Sequence, residues 1–499
     1  MPGTMDTGVT SISSHEGARD AVALGLSVLP QMSTNEQAPS RTYRRLPADP
    51  RPVDHARVGA LLRKEWQRFR DLTPAAKEES AQARVNTPLG VTSSFQYWDP
   101  YPISIVSADG AYVTDVDGRR LLDLSMGFGG MLVGHRNPQV MQALESTLET
   151  TGTLFVTPSP MAAEAASRLC RRFGLDLIRF TNSGTESTMY ALRVARAYTG
   201  RMGVVKVEGG YHGSYDEFTV STKPPLDKIG AADNPTPFVP LGVNGFDVYV
   251  VPFNDADALE RMFKVNGHDI ACFIVEPVLE NLGIVLPDPG YLERVRELCT
   301  EHEIVLIFDE VKTGLTAGAG GASQRLGVQS DLQTFAKSIG GGVPVAAFGG
   351  QREFMEVISD GRMPHFGTFN GNPMSVAAVL AVDEICTPEA LAEAEAFNLQ
   401  ALTRIGDIID EYHLPAHTVG FGVKGCITWA TTPTRNYRDY KHEDMQVAEL
   451  SWLWALNRGI MTPPGQDDQW LISFAHKQAE IDLLVENFRS LAQALRAVA

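Results

Sequence analysis

The segment "DLQTFAKSIGGGVPVAAFGG", residues 331–350, places one lysine between an apolar, strand-like run and a glycine-rich turn. Lys337 has apolar residues and glycines as neighbours, and the nearest acidic residue before it is Asp331. A buried ammonium group without a carboxylate partner is unstable relative to the neutral amine, which is a nucleophile. The alternative is a side chain that simply reaches solvent. Other motifs in the sequence are needed to distinguish a reactive lysine from a surface lysine.

Around this segment, short β-rich runs alternate with helical segments from about residue 136 onward. The runs are "LIRFT", "GVVKVEG", "DVYVVPF", "ACFIVEP", "IVLIFDE" and "PVAAFGG". This alternation predicts an α/β fold in which crossover helices connect the strands of a mostly parallel sheet. A smaller α+β region with "GCITWA" and "WLISFAH" follows residue 370. The predicted organisation is a mobile N-terminal arm (1–53), an N-terminal segment joining the small domain (54–125), a large domain (126–369) and a small C-terminal domain (370–499).

Composition excludes several classes of function. The chain has 499 residues and a formal net charge of −17, which argues against a nucleic-acid partner or an anionic membrane surface. No run reaches the roughly 18 apolar residues of a membrane helix, and the N-terminal stretch lacks the basic start of a signal peptide. The five cysteines lie far apart without a CxxC pair. We therefore expect reduced thiols in a cytoplasmic protein, with neither a disulfide framework nor a metal site.

Polar residues follow several of the predicted strands, where an open α/β sheet collects its ligands. Ser183, Gly184 and Thr185 open a helix whose free N–H groups suit a phosphate, although a plain helix cap would also explain them. Asp309 ends "IVLIFD", and Tyr211 follows "GVVKVEGG". A phosphate cradle, a carboxylate, an aromatic ring and an isolated lysine together suit pyridoxal 5′-phosphate (PLP), which lysine binds as a Schiff base.

The chain also resembles a known family. The motifs "TNSGTESTMYALRVARAYTG", "GGYHGSYD", "FIVEP", "IFDEVKTG", "DLQTFAKSIGGGVPVAAFGG" and "GTFNGNPMSVAA" are similar to those of the fold-type-I, class III aminotransferases. Within that family, the resemblance is to the branch of glutamate-1-semialdehyde aminomutase and the β-phenylalanine aminotransferases, and it runs from about residue 60 to the C-terminus. It implies a fold type I PLP-dependent transferase, in which a large, mostly parallel, seven-stranded-type sheet domain is joined to a smaller α+β domain.

The resemblance implies a role for each matching residue. Lys337 is the Schiff-base lysine and proton shuttle, and Asp309 pairs with the pyridinium nitrogen. The other implied cofactor contacts are Val311 beneath the ring, Tyr211 above it, Ser183, Gly184 and Thr185 at the phosphate, and Thr368 from the partner subunit of a homodimer. Glu276 and His212 are also counted among the cofactor-binding residues; the role of Glu276 is less defined, and for His212 we favour the interpretation that it braces its turn.

The sequence departs from this branch where the substrate carboxylate is expected to bind. The stretch "YPISIVSADGAYVTDVDGRRLLDL" predicts a meander of strands. The segment at its start, "TPLGVTSSFQYWDPYPI", has no arginine, and Thr316 stands where the aminomutase has arginine. We therefore predict poor activity on glutamate-1-semialdehyde and small β-amino acids, and better activity on amines with a bulky apolar group lying against Tyr97 and Trp98. Arg435 or Arg438 could instead supply the missing guanidinium.

Three functions fit these observations. The first is a transaminase that moves an amino group from an amine or amino acid to a keto acid or aldehyde. The second is an intramolecular aminomutase, and the third is a catalytically idle PLP-binding protein. The retention of lysine, aspartate and phosphate cradle together argues against the third.

Overall fold

The computed structural model describes residues 42–154, 156–464 and 469–496, so residues 1–41 of the predicted arm lie outside the described residues. The strands are β1 (Tyr43–Arg45), β2 (Ile105–Asp109), β3 (Tyr112–Asp115), β4 (Arg120–Asp123), β5 (Leu177–Thr181), β6 (Gly203–Val207), β7 (Gly230–Ala231), β8 (Asn234–Pro235), β9 (Val248–Val251), β10 (Ile270–Val275), β11 (Val305–Asp309), β12 (Leu332–Phe335), β13 (Ala346–Gly350), β14 (His417–Phe421), β15 (Lys424–Thr428), β16 (Ile460–Met461) and β17 (Gln469–Leu471). The helices are α1 (His55–Leu72), α2 (Pro74–Ala83), α3 (Met126–Gly129), α4 (Pro138–Thr150), α5 (Pro160–Phe173), α6 (Gly184–Thr199), α7 (Asp216–Thr219), α8 (Ala256–Asn266), α9 (Tyr291–Glu301), α10 (Gly314–Ala317), α11 (Gly321–Leu326), α12 (Arg352–Ser359), α13 (Pro373–Ile385), α14 (Pro388–Glu411), α15 (Tyr437–Tyr440), α16 (Met445–Leu456) and α17 (Gln478–Arg496).

A seven-stranded sheet forms the centre of the large domain, with the strand order β5-β13-β12-β11-β10-β6-β9. The neighbours from β12 to β9 pair in parallel, whereas β13 runs antiparallel to β12 and β5. All residues of β6, β10 and β11 are buried, as expected for a parallel sheet that helices cover on both faces. The predicted fold class is confirmed.

Helix α6 shows how local sequence places an element on this sheet. Ser183 caps its N-terminus by accepting a hydrogen bond from the Glu186 N–H at 3.2 Å. Gly200 ends the helix in the left-handed region, with φ 72°. The buried face of α6 includes Leu192 and Ala195, which pack in one core cluster with residues of the sheet.

Two smaller sheets stand beside the central one. One has the order β1-β14-β15-β17, and the other has the order β16-β4-β3-β2 and contains the predicted strand meander. The structure differs from the predicted 1–53 arm at its C-terminal end, because Tyr43–Arg45 pairs with β14 and is part of the first small sheet. Residues far apart in sequence share each small sheet, so hydrophobic periodicity alone did not reveal that pairing. The other domain boundaries stay predictions.

The fold brings the ends of five strands to one edge of the central sheet. Ser183 follows β5, Tyr211 follows β6, Glu276 follows β10, Asp309 ends β11 and Lys337 follows β12. All five of these strands run in the same direction, although β5 is separated from the other four by β13, which is antiparallel to both β5 and β12. The predicted site residues therefore meet although they are spread over 155 positions of sequence, from residue 183 to residue 337.

Three features bear on the class of protein, namely membrane-spanning helices, disulfides and metal sites. None of the helices within the described ranges combines the length and hydrophobicity needed to span a lipid bilayer. All five cysteines are free thiols, and four of them are buried. Within the same ranges, no group of three or more histidine, cysteine or acidic side chains is arranged to hold a metal ion.

Candidate active site

Lys337 lies in a short 3₁₀ turn that starts directly after β12. Its backbone has φ 49°, a left-handed conformation that is unfavourable for a residue with a side chain, and such strain is concentrated at functional sites. Gly341 and Gly342 continue the turn with φ 54° and 100°. Burial lowers the pKa of the Lys337 amine, while Asp309 opposes this effect. The turn thus presents a lysine that is poised to lose its proton.

The Lys337 side chain lines a cavity of about 460 Å³. Most of the predicted site residues line this same cavity, namely Ser183, Gly184, Thr185, Tyr211, His212, Glu276, Asp309 and Val311. Thr368 does not; it is exposed and lines a separate surface cavity with Phe180 and Asn370. One chain therefore brings together every predicted contact except the one that the resemblance assigns to a partner subunit.

Asp309 is held in a fixed orientation at the end of β11. Its Oδ1 accepts hydrogen bonds from the Val311 N–H at 3.0 Å and the Thr334 hydroxyl at 3.2 Å. Its Oδ2 lies 2.8 Å from Nδ1 of His212, which is fully buried. His212 therefore also holds Asp309 in place, a contact that the sequence did not reveal. The second ring nitrogen of His212, Nε2, is buried and has no hydrogen-bond partner among the described residues.

The N-terminus of α6 lines one side of the cavity and has features that suit a phosphate. Helix N-termini leave backbone N–H groups free and carry a partial positive charge, and both features favour an anion. Thr185 Oγ1 accepts a hydrogen bond from the Ser214 N–H at 3.1 Å, which joins this end of α6 to the loop after β6. That loop approaches closely at Gly213, where a Cβ atom would lie 2.6 Å from Thr185 Oγ1. The cradle depends on glycine at this position.

Glu276 connects two further loops on the cavity wall. Its Oε1 accepts a hydrogen bond from the Tyr211 N–H at 3.3 Å, and its Oε2 accepts one from Nδ2 of Asn281 at 2.9 Å. Burial raises the pKa of the Glu276 carboxyl group. The ring of Tyr211 also has an edge contact with Phe95, with ring centroids 5.6 Å apart. Glu276 thereby positions Tyr211 and Asn281 at the cavity.

Tyr97 and Trp98, which were predicted to lie against the substrate, are outside the cavity of Lys337. Trp98 packs against Trp452 in a second cavity. Neither Tyr97 nor Trp98 is among the residues that line the cavity of Lys337. The aromatic side chains on which the predicted substrate preference depended therefore lie outside this cavity. In the same segment, "TPLGVTSSFQYWDPYPI", Phe95 is the side chain that contacts the ring of Tyr211.

Both arginines named as replacement anchors are already paired. Arg435 binds Asp288, with Nε 2.9 Å from Oδ2. Arg438 binds the buried carboxylate of Glu208 through two hydrogen bonds of 2.9 and 2.8 Å. Neither lines the cavity of Lys337. Moving either guanidinium into the cavity would leave a carboxylate without its partner, and for Glu208 this carboxylate is buried.

Sequence reasoning missed Lys312, which also lines the cavity. It follows Val311 directly in the quoted motif "IFDEVKTG", so its place in the motif was visible, but its partners were not. Lys312 donates hydrogen bonds to the main-chain oxygen of Glu280 and, at 3.4 Å, to Oε1 of Gln469. The side chain of Glu280 pairs with Lys424 of β15. Glu280, Lys424 and Gln469 lie 32, 112 and 157 residues from Lys312 in the sequence.

Comparison with known proteins agrees with this geometry. Residues 95–436 match the profile of the family "Aminotransferase class-III". The chain belongs to the class III aminotransferases. A glutamate-1-semialdehyde 2,1-aminomutase from Methanocorpusculum labreanum is 37% identical to this class III aminotransferase over 423 residues, which cover 83% of this chain and 99% of the relative.

Solved structures support the same family and the same fold. An omega-transaminase from Sphaerobacter thermophilus is 32% identical, with a TM-score of 0.81, and the match covers 85% of this chain and 98% of the other. A glutamate-1-semialdehyde-aminomutase from Pseudomonas aeruginosa PAO1, in complex with PMP, is 29% identical, also with a TM-score of 0.81, over 89% of this chain and 99% of the other. The predicted family and the fold type I architecture are confirmed, and the class III aminotransferase described here is a PLP-dependent enzyme.

The cavity fits this cofactor on its own chemistry. It offers an amine of lowered pKa at Lys337, a fixed carboxylate at Asp309 and the N-terminus of a 16-residue helix at Ser183. Gly213 leaves space beside Thr185 that a larger residue would fill. These are the groups that an aldehyde, a ring nitrogen and a phosphate require.

Proposed function

We propose that this class III aminotransferase transfers an amino group from an amine or amino acid to a keto acid or aldehyde, with Lys337 as the catalytic amine. The observation that carries the proposal is the convergence of Lys337, Asp309 and the N-terminus of α6 on one cavity. PLP, when bound, supplies an electrophilic carbon and a ring that accepts the negative charge developed at the substrate Cα. The described residues supply binding, orientation and proton transfer.

Each residue has a defined task in this proposal. Lys337 would hold the cofactor, and its amine, whose pKa burial lowers, would accept and return a proton at the substrate Cα. Asp309 keeps a proton on the ring nitrogen, and His212 keeps Asp309 oriented. Ser183, Gly184 and Thr185 bind the phosphate at the N-terminus of α6. Val311, Tyr211 and Glu276 line the cavity around the ring.

An aminomutase is the second candidate, and the similarity to glutamate-1-semialdehyde 2,1-aminomutase favours it. An aminomutase returns the amino group to another carbon of the same molecule, so it needs no separate acceptor. A transaminase, in contrast, requires a separate keto acid or aldehyde as acceptor.

The assembly proposed for the enzyme is a homodimer with shared active sites. Thr368 is exposed in one chain, and the flanking side chains of Phe366 and Phe369 are 76% and 59% exposed. Large exposed apolar side chains that cluster in this way favour burial against a partner. The five separate free thiols support a reducing, cytoplasmic environment for the enzyme.

A single-turnover screen tests the proposed function. The enzyme carrying PLP is mixed with a panel of amines and amino acids, and the cofactor spectrum is followed without an acceptor. We expect at least one donor to convert the cofactor stoichiometrically to its amine form, and a keto acid or aldehyde to reverse the change. The matched Lys337→Ala variant should show neither conversion nor the visible absorbance of lysine-bound cofactor. Isomerised product without any acceptor would instead support the aminomutase, and conversion by Lys337→Ala at the normal rate would refute the role of Lys337.

A further inference from the structure

A buried group of charged side chains stands directly beside the proposed cofactor site. Lys312, Lys424 and Glu280 are 8%, 1% and 1% exposed, respectively. The carboxylate of Glu280 pairs with Lys424, and Lys424 also donates a 2.8 Å hydrogen bond to the main-chain oxygen of Lys312. Two lysines and one glutamate are therefore buried together. Because Glu280 forms its ion pair with Lys424, Lys312 has no ion pair of its own among the described residues.

Lys312 has hydrogen bonds but no carboxylate partner among the described residues. Its acceptors are the main-chain oxygen of Glu280 and the side-chain amide oxygen of Gln469, and both are neutral. The nearby Glu276 is buried with a raised pKa, and Asp309 is engaged by His212. Burial and the nearby charge of Lys424 lower the pKa of Lys312 to about 7. A bound anion would favour the charged form of the amine, and Lys312 lines the cavity where a ligand binds. The missing anion would therefore come from a ligand.

Within the described part of the chain, no arginine lines the cavity of Lys337, and this strengthens the argument. Thr316, at one expected arginine position, is 1% exposed, and its hydroxyl donates a 2.6 Å hydrogen bond to the main-chain oxygen of Lys312. Arg435 and Arg438 are paired with Asp288 and Glu208 outside the cavity. Among the charged side chains that line the cavity, the cations are Lys312 and Lys337. Lys337 has another task in the proposed reaction, so Lys312 is the cation left to meet a substrate anion.

We propose that Lys312, supported by Glu280, Lys424 and Gln469, binds the carboxylate of an amino acid substrate. The substrate class is thus amino acids and keto acids rather than simple amines, a reversal of the preference predicted from the sequence. This inference rests on the proposed transaminase function for its catalytic meaning. The binding of a carboxylate can nevertheless be measured without turnover.

The test compares an acid with its neutral analogue. Isothermal titration calorimetry on the PLP-loaded enzyme measures the binding of 3-phenylpropanoate and 3-phenylpropanamide, which differ in charge but closely match in shape. Lys312→Gln removes the charge but keeps an N–H donor for the Glu280 oxygen, and Lys312→Arg keeps the charge. Lys264→Gln removes an exposed lysine that pairs with Glu260 on α8, and it serves as the matched control.

We expect the wild-type enzyme and Lys264→Gln to prefer the acid. Lys312→Gln should weaken acid binding by about ten- to a hundredfold while amide binding stays unchanged, since a charge-assisted pair is lost. Lys312→Arg should retain most of the preference. Circular dichroism shows whether Lys312→Gln folds. If it does not, the comparison of acid and amide binding in the wild type and in Lys312→Arg still tests the proposal, because a wild-type enzyme with no preference for the acid overturns it.

Two other outcomes also overturn it. Equal weakening of acid and amide would show that Lys312 only maintains the shape of the cavity. A changed cofactor absorbance in Lys312→Gln, with acid binding intact, would assign the lysine to the cofactor instead. The two proposals can fail independently. Failure of every donor in the single-turnover screen refutes the transaminase function. A selective loss of acid binding in Lys312→Gln would still support the carboxylate site.

Discussion

At the scale of single residues, the candidate site depends on the backbone conformation and pKa of Lys337 and on the fixed orientation of Asp309. Lys337 has a left-handed backbone and an amine of lowered pKa, and Asp309 is held by three hydrogen bonds. Strain of this kind costs of order 1–3 kcal/mol and persists only where the surrounding structure enforces it. The buried sheet around β11 and β12 provides that enforcement.

The contact between His212 and Asp309 leads to a prediction at this scale. His212→Ala removes the hydrogen bond to Asp309 Oδ2, and we expect the rate of proton removal from the substrate Cα to fall by about tenfold to a hundredfold. Asp309→Asn should cost more, because it removes the charge that keeps the ring nitrogen protonated. The measurement is the single-turnover rate with an α-deuterated donor.

A positioning role for His212 has its own signature in that experiment. The deuterium isotope effect should grow in His212→Ala, since proton removal becomes more rate-limiting, while PLP still binds. An unchanged rate, or a loss of PLP without any change in isotope effect, would contradict this role.

At the scale of elements, the phosphate cradle depends on how closely the loop after β6 approaches the start of α6. Gly213 has φ 98°, and a Cβ atom there would lie 2.8 Å from the Cα of Thr185. We expect Gly213→Ala to push the loop away from α6 and to weaken PLP binding by at least about tenfold, a free-energy loss of about 1.4 kcal/mol. The measurement is the dissociation constant of PLP by fluorescence.

Gly242→Ala provides the matched control for this substitution. Gly242 has φ 80°, but its Cβ would have nothing within 4 Å, so the variant carries similar backbone strain without the clash. Equal weakening in both variants would show that strain, and not the approach of the loop to Thr185, limits PLP binding.

At the scale of the whole molecule, two buried histidines make stability depend on pH. Burial lowers the pKa of His417 and of His476 to about 4, below the usual 6.5. The unfolded chain therefore binds more protons than the folded chain between pH 4 and 6.5, and the free energy of unfolding falls as the pH falls through this window. Each histidine contributes a slope of up to about 1.4 kcal/mol per pH unit.

Urea denaturation at pH 7, 6 and 5 measures this slope. His417→Asn can still donate to the Ala430 oxygen that Nδ1 of His417 contacts at 2.8 Å, but it cannot titrate. We expect the variant to lose less stability than the wild type between pH 7 and 5. The same slope in both proteins would exclude His417 as a source of the pH dependence.

The proposed homodimer is a further prediction for the whole molecule. Thr368 and its exposed neighbours Phe366 and Phe369 should be buried against a partner, so the enzyme should sediment as a dimer. Phe369→Asp should shift it toward monomer and reduce activity, because a charge replaces an apolar contact. Phe246→Asp, on another strongly exposed phenylalanine, tests whether the effect is specific to the Thr368 segment. A fully active monomer would refute shared active sites.

Local sequence determined much of this protein. The alternation of β-rich and helical runs predicted the parallel sheet, since the buried strands read as continuous apolar runs. Strand ends followed by Ser183, Asp309 and Lys337 predicted the cavity, because parallel strands deliver their carboxyl ends to one edge. Each of these inferences needs only the neighbours of a residue in sequence, and the structure places all three residues at one cavity.

Tertiary structure alone decided which charges are paired and which are free. No local pattern shows that Arg438 binds Glu208, that Lys424 binds Glu280 or that His212 holds Asp309, because 97 to 230 residues separate the partners. The same holds for Tyr97 and Trp98, whose position before a strand did not reveal that they lie outside the cavity. Pairing and burial are properties of three-dimensional proximity, and they set the electrostatic character of the site. For this reason the sequence determined the fold and the site of chemistry, whereas the structure decided that Lys312 is the cation left for a substrate.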